Sequence, residues 1–113
     1  MNTREFIITA NFDKQWDKLS LNDEALRQLQ NYIILNSGIG DIIEGTGGLV
    51  KLRWKLPFTG KSGGIRVLYV DFMRRETVVL VNCYSKSEKD NISDKEKAMY
   101  KDLIKEIEKR LEQ

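Results

Sequence analysis

From residue 50 to residue 56 the chain alternates apolar and basic side chains one by one. As a strand, this run sets Val50, Leu52, Trp54 and Leu56 on one face and Lys51, Arg53 and Lys55 on the other. The alternation predicts one face in the core and a cationic platform opposite. Two further runs, 65–72 and 77–84, are almost continuously apolar, the pattern of central strands covered on both faces for most of their length. Between the first two runs, Gly60-Lys61-Ser62-Gly63-Gly64 supplies residues able to take positive φ, so a hairpin is expected to bring Arg66 and Lys61 close to Lys51 and Arg53. Met73-Arg74-Arg75-Glu76 reads as a short turn joining the last two strands.

The remaining patterns are helical. After a short strand at 5–9, Asn11 reads as the cap of a brief helix in which Phe12, Trp16 and Leu19 recur at helical spacing. Asn22 reads as the next cap, with Leu21 and Leu26 placed to form a hydrophobic staple. Leu26, Leu29, Tyr32 and Ile33 then make an apolar stripe that stops near Ser37-Gly38, and this helix is expected to lie against the sheet. Between Asn36 and Gly48 the chain carries glycines at 38, 40, 45 and 47 and no period, so this stretch reads as a loop entering the basic strand. Ser93-Asp94-Lys95-Glu96 matches a capping box, and Met99, Tyr100, Leu103, Ile104, Ile107 and Leu111 follow at helical spacing with a solvated charged face opposite. The prediction is an α+β fold in one compact domain, residues 1–113. It has a mainly antiparallel sheet of about four strands, two N-terminal helices and one C-terminal helix, in the order β-α-α-β-β-β-α.

Length agrees, since 113 residues suit one domain with a modest core. No apolar run approaches the roughly 18 residues a membrane span needs, and no signal-peptide pattern opens the chain, so a cytoplasmic protein with no membrane partner is expected. Cys83 is the single cysteine; with no histidine in the chain to activate it, it reads as a buried structural thiol. Net charge is only +2, yet residues 45–89 hold nine Lys and Arg against three acids, a local +6 that leaves the rest at −4. A cationic sheet on an acidic body fits a reader of phosphate backbones.

The absence of histidine, and of any Cys/Asp/Glu cluster with metal-ligand spacing, gives metal-assisted hydrolysis no ligand set, and no cofactor is expected. Chemistry would fall to Lys, Arg and Tyr. RNA carries its own nucleophile, and attack by a 2′-hydroxyl on the adjacent phosphate needs alignment, removal of a proton, stabilisation of the charged phosphorane and protonation of the leaving 5′-oxygen. Each task suits a cation or a phenol, and the products are a 2′,3′-cyclic phosphate and a 5′-hydroxyl.

The stretches GDIIEGTGGLVKLRWK and GKSGGIRVLY, followed by Tyr84-Ser85-Lys86-Ser87-Glu88-Lys89, resemble the RelE superfamily of toxins from type II toxin–antitoxin modules, and within it the HigB-like branch. The order of elements matches as well, so the resemblance spans almost the whole chain. It implies a RelE-like toxin that enters the ribosomal A site, cuts messenger RNA there and halts translation. It also implies a cognate antitoxin, a small helix-turn-helix DNA-binding protein.

By that resemblance Lys51 and Arg53 flank the scissile phosphate and Arg66 is its main electrostatic clamp, an arginine offering a planar, permanently charged fork to phosphate oxygens. Lys51 is the candidate base and Arg53 a charge stabiliser, while Tyr84, Lys86 and Lys89 are candidates for protonating the leaving group. Lys55, Phe58, Lys61, Lys89, Arg74 and Arg75 are expected to contact RNA, Phe58 by stacking on a base or as a small satellite core contact. Strand parity puts Tyr69 opposite Arg66, as core or as substrate contact, and Trp54 in the core. Two other readings use the same face: a non-catalytic RNA- or ribosome-binding module, and a degenerate toxin that serves only as an antitoxin-binding partner.

Overall fold

The computed structural model describes residues 4–55, 64–89 and 91–112. In chain order it contains β1 (Glu5–Ile8), α1 (Ala10–Lys18), α2 (Asp23–Leu35), β2 (Asp41–Ile42), β3 (Val50–Trp54), β4 (Ile65–Phe72), a 3-10 turn at Met73–Arg75, β5 (Thr77–Ser85) and α3 (Asp94–Leu111). One sheet runs in the order β1-β5-β4-β3-β2. Only β1 with β5 is parallel; the other three pairings are antiparallel.

The sheet has five strands rather than four because the glycine-rich loop itself pairs with β3 for two residues, Asp41 opposite Lys51 and Ile42 opposite Val50. Gly40 permits the approach. It sits at φ +116°, and a Cβ there would lie 2.7 Å from the Lys51 carbonyl oxygen and from a Val50 methyl. Buried Thr46 then closes the loop, donating to the Ile43 carbonyl at 2.6 Å and accepting from the Leu49 N–H at 3.1 Å.

The cap of α1 is Thr9, not Asn11. β1 ends one residue sooner than its apolar pattern suggests, which leaves Thr9 extended at φ −70°, ψ 155°. Its hydroxyl accepts from the Phe12 N–H at 3.1 Å and donates to the Val81 carbonyl at 3.0 Å, capping the helix and fastening it to β5 at once. Asn11 lies inside the helix and its amide reaches the same carbonyl at 3.4 Å. Asn22 caps α2 as expected, accepting from Ala25 N–H at 2.9 Å, and Leu21 and Leu26 both pack against the core. Leu29 and Ile33 of the α2 stripe are buried, whereas Tyr32 turns partly outward.

Each face of the sheet carries a core. Under α1 and α2, Phe12, Trp16, Leu29 and Ile33 pack on Val50, Leu52, Trp54, Val67, Tyr69, Leu80 and Cys83, with the Trp16 ring stacked between Phe12 at 5.4 Å and Trp54 at 5.9 Å. On the other face Leu49, Leu68, Val70, Val79 and Val81 pack beneath Tyr100 and Ile104 of α3. The expectation of an open cationic platform is therefore corrected: α3 lays its apolar stripe over most of that face. The Ser93–Glu96 capping box that starts α3 is present as expected.

A bulge sits in the middle of this face. Leu68 pairs with Asn82 but Tyr69 with Leu80, so Val81 is an extra residue on β5. Val81 joins the core beneath α3 while Asn82 donates to the Tyr100 hydroxyl at 3.1 Å, so consecutive side chains both point toward α3.

Candidate active site

Cross-strand register builds the site. Arg53 on β3 pairs with Arg66 on β4, which pairs with Tyr84 on β5; in the next row Lys51, Leu68 and Asn82 are aligned. Residues directly opposite in an antiparallel pair share a face, with Cα atoms about 4.5–5.5 Å apart. Lys51, Arg53, Arg66 and Tyr84 thus stand together on the α3 face of the sheet. The hairpin that makes this possible returns at Gly64, at φ +63°, where a Cβ would lie 2.5 Å from the Trp54 carbonyl oxygen.

Exposure divides the group. Arg53 is exposed and Lys51 half-buried, whereas Arg66 is 2% exposed and Tyr84 6%. Arg66 is thus a buried guanidinium beneath the surface charge of Arg53 rather than an open fork. A charge held in that setting is poorly screened by water and acts strongly on any anion seated above it. Asp41, opposite Lys51 on β2, is the acid that the register places beside these cations.

The other candidates fall in different places. Lys55 is exposed just past the end of β3. Lys86 is exposed in the turn that leaves β5, closed by the Glu88 N–H donating to the Ser85 carbonyl at 3.1 Å and by the Ser85 and Ser87 hydroxyls at 3.0 Å. Lys89 is committed to an ion pair with Glu96. Arg74 and Arg75 are exposed beyond the far end of β4, roughly 25 Å of strand from Arg66, and are not brought to the site. A cleft of about 580 Å³ lies at that far end, between the 3-10 turn and Glu108 of α3 with Glu112 just past its end. Phe58 and Lys61 lie outside the described residues.

Two side chains resolve as core. Tyr69 is fully buried and donates to the Ile39 carbonyl; burial, and then the nearby Asp71 carboxylate, pushes its hydroxyl up to about 12. Trp54 packs on Trp16. Cys83 is buried, with burial first and Glu88 second pushing its thiol up to about 12, so it is not a nucleophile at neutral pH. The sequence pattern places Tyr100 in the apolar stripe and Glu96 in the capping box but not their contacts with Asn82 and Lys89. Asn82 leaves a signal of its own, as the single polar side chain in an otherwise apolar run from Val78 to Tyr84.

Two rows of strand residues, with arginines paired face to face, a phenol at the end of one row and a lysine in the other, gather positive charge on one patch of a small α+β scaffold. The model of the RelE toxin family, of the RelE/RelB toxin–antitoxin system, matches residues 5–113. The chain belongs to that family. Its fold is similar to that of a solved free-state structure of Escherichia coli toxin RelE carrying two arginine-to-alanine changes. That structure has a TM-score of 0.55 and 15% identity, over 78% of this chain and 88% of the other.

Proposed function

We propose that this chain is the toxin of a type II toxin–antitoxin module, of the HigB-like branch. In this reading it is a metal-independent endoribonuclease that cuts messenger RNA in the ribosomal A site by 2′-hydroxyl attack. The observation that carries the reading is the row Arg53–Arg66–Tyr84 beside Lys51. Lys51 takes the proton of the 2′-hydroxyl, Arg53 contacts the phosphate oxygens, and Arg66 stabilises the phosphorane from beneath. Tyr84 or Lys86 protonates the leaving 5′-oxygen. General acid–base work of this kind contributes about 10²- to 10⁴-fold, and one preorganised charge about 10²- to 10³-fold. The ribosome supplies the remaining alignment, so naked RNA is a poor substrate. The partners are translated messenger RNA with the surrounding ribosomal RNA, and a small DNA-binding antitoxin. The site of action is the cytoplasm, where ribosomes work; among the described residues no helix is long and apolar enough to cross a membrane.

The near-complete burial of Arg66 favours, as a second reading, a module that binds RNA, ribosome or antitoxin without cutting. One experiment separates them. Wild-type and Arg66→Ala proteins are induced in a bacterial host lacking antitoxin, and new 5′-hydroxyl RNA ends are mapped against reading frame. Ends in phase with codons for wild type alone support the ribonuclease; no such ends from folded wild-type protein leave the binding module.

A further inference from the structure

Glu96 uses its two carboxylate oxygens on different partners. Oε1 accepts from the backbone N–H of Ser93 at 3.2 Å and from its hydroxyl at 3.1 Å, completing the capping box that starts α3. Oε2 takes the ammonium of Lys89. The cap orients the carboxylate, and the oriented carboxylate holds a lysine that lies three residues past Lys86 and five past Tyr84.

This pair differs from the other ion pairs on α3. Lys97–Asp94 and Arg110–Glu106 link positions three or four apart on the helix and include strongly exposed members, so they do little. Lys89 and Glu96 are two-thirds shielded, at 34% and 29% side-chain exposure, and they join two elements: the stretch leaving β5 and the first turn of α3. The near side of that stretch is already fixed by the turn bonds at Ser85, Ser87 and Glu88. Together these contacts hold the turn that carries Lys86 beside the end of β5, where Tyr84 and Arg66 stand paired.

We propose that Glu96 is a positioning residue. Acting through Lys89, it sets the pose of the 86–88 turn and hence of Lys86 over the paired Arg66 and Tyr84. Lys89 is then a strap to α3, not a phosphate ligand. This role in catalysis rests on the ribonuclease reading; the strap itself does not.

Glu96→Gln separates the two functions of the side chain. A glutamine carbonyl still accepts from Ser93 and keeps the capping box, but it carries no charge for Lys89. Lys89→Met breaks the pair from the other side, and Lys89→Arg preserves it. In the free protein, amide exchange at Glu88 is expected to quicken about fivefold in Glu96→Gln and in Lys89→Met, with thermal midpoints near wild type. On translated messenger RNA, kcat is expected to fall roughly tenfold or more in both with KM little changed. The double variant should be no worse than either single one, and Lys89→Arg should retain activity.

A direct phosphate contact would look different. Lys89→Met alone would weaken ribosome binding and lower its salt slope by about one, with Glu96→Gln unchanged or more active, and that pattern overturns the proposal. Unaltered Glu88 exchange in Glu96→Gln also overturns it. If wild type cuts nothing while exchange responds to both variants, the strap stands and it is the ribonuclease reading that falls.

Discussion

Arg53 and Arg66 face each other directly across β3 and β4, two permanent positive charges at paired positions of an antiparallel ladder. Like charges so placed work against folding. An anion lying across the two guanidiniums relieves their mutual repulsion, which makes the pair a test of the site. Arg53, the exposed partner, is the one to remove. Arg53→Ala is expected to leave the thermal midpoint unchanged or raised while cutting messenger RNA cleavage by about 10²- to 10³-fold. Added sulfate or phosphate should raise the midpoint of wild type more than that of the variant. Calorimetry with and without the anion, alongside a cleavage assay, reads both; a variant that unfolds earlier and cuts normally sinks the assignment.

Thr9 bridges α1 and β5 through one hydroxyl, whereas Asn11 contributes a single long bond. Thr9→Ala is therefore expected to cost about 1–2 kcal/mol and Asn11→Ala well under half of that. Urea unfolding of the two variants decides the order, and equal losses would mean that the helix is held from Asn11 as well.

These two cases mark what the sequence discloses. Strand alternation placed Lys51 and Arg53 on one face, and the hairpin placed Arg66 with them, because period and turn chemistry act locally. The burial of Arg66 was hidden, since an amphipathic helix such as α3 does not state which sheet face it will cover. β2 was hidden too: two residues show no period, and their pairing depends on the missing side chain of Gly40. The ion pair of Lys89 with Glu96 leaves no sequence signal, because spacing does not tell which acid a given cation meets in the fold. Thr9 caps α1 in place of Asn11 because β1 ends at Ile8, one residue before its pattern does.

Two buried groups give the fold an alkaline limit. The Tyr69 hydroxyl is pushed up from 10.0 to about 12 and the Cys83 thiol from 9.0 to about 12, each chiefly by burial. Both are neutral when protonated, and the unfolded chain releases these protons first. Their contribution is therefore whole below pH 9 and is lost progressively as pH rises toward 12. Stability measured by urea unfolding should fall across that window. Tyr69→Phe, which gives up the bond to the Ile39 carbonyl, is expected to lose about 1 kcal/mol at pH 7 and to show a shallower decline above pH 10. An unchanged slope in that variant would assign the alkaline loss elsewhere. Cys83 should resist thiol reagents at pH 8 until the protein is unfolded.

Gly38 and Gly40 make a matched pair for the last test. Both have positive φ, +80° and +116°, but a Cβ at Gly38 meets nothing within 4 Å while one at Gly40 strikes the backbone and a methyl of β3 at 2.7 Å. Gly38→Ala adds conformational strain alone, about 1 kcal/mol. Gly40→Ala adds strain and a clash that only separation of β2 from β3 relieves, for a cost of at least about 2 kcal/mol. In a domain of this size that difference corresponds to a midpoint lower by roughly 5 °C or more. The functional consequence follows from register, because β2 sets Asp41 opposite Lys51. Losing β2 frees the edge of β3 and removes the acid beside the proposed base, so Gly40→Ala should change cleavage at temperatures where it is still folded, and Gly38→Ala should not. If the two variants match in both stability and cleavage, the β2 pairing does not govern the site.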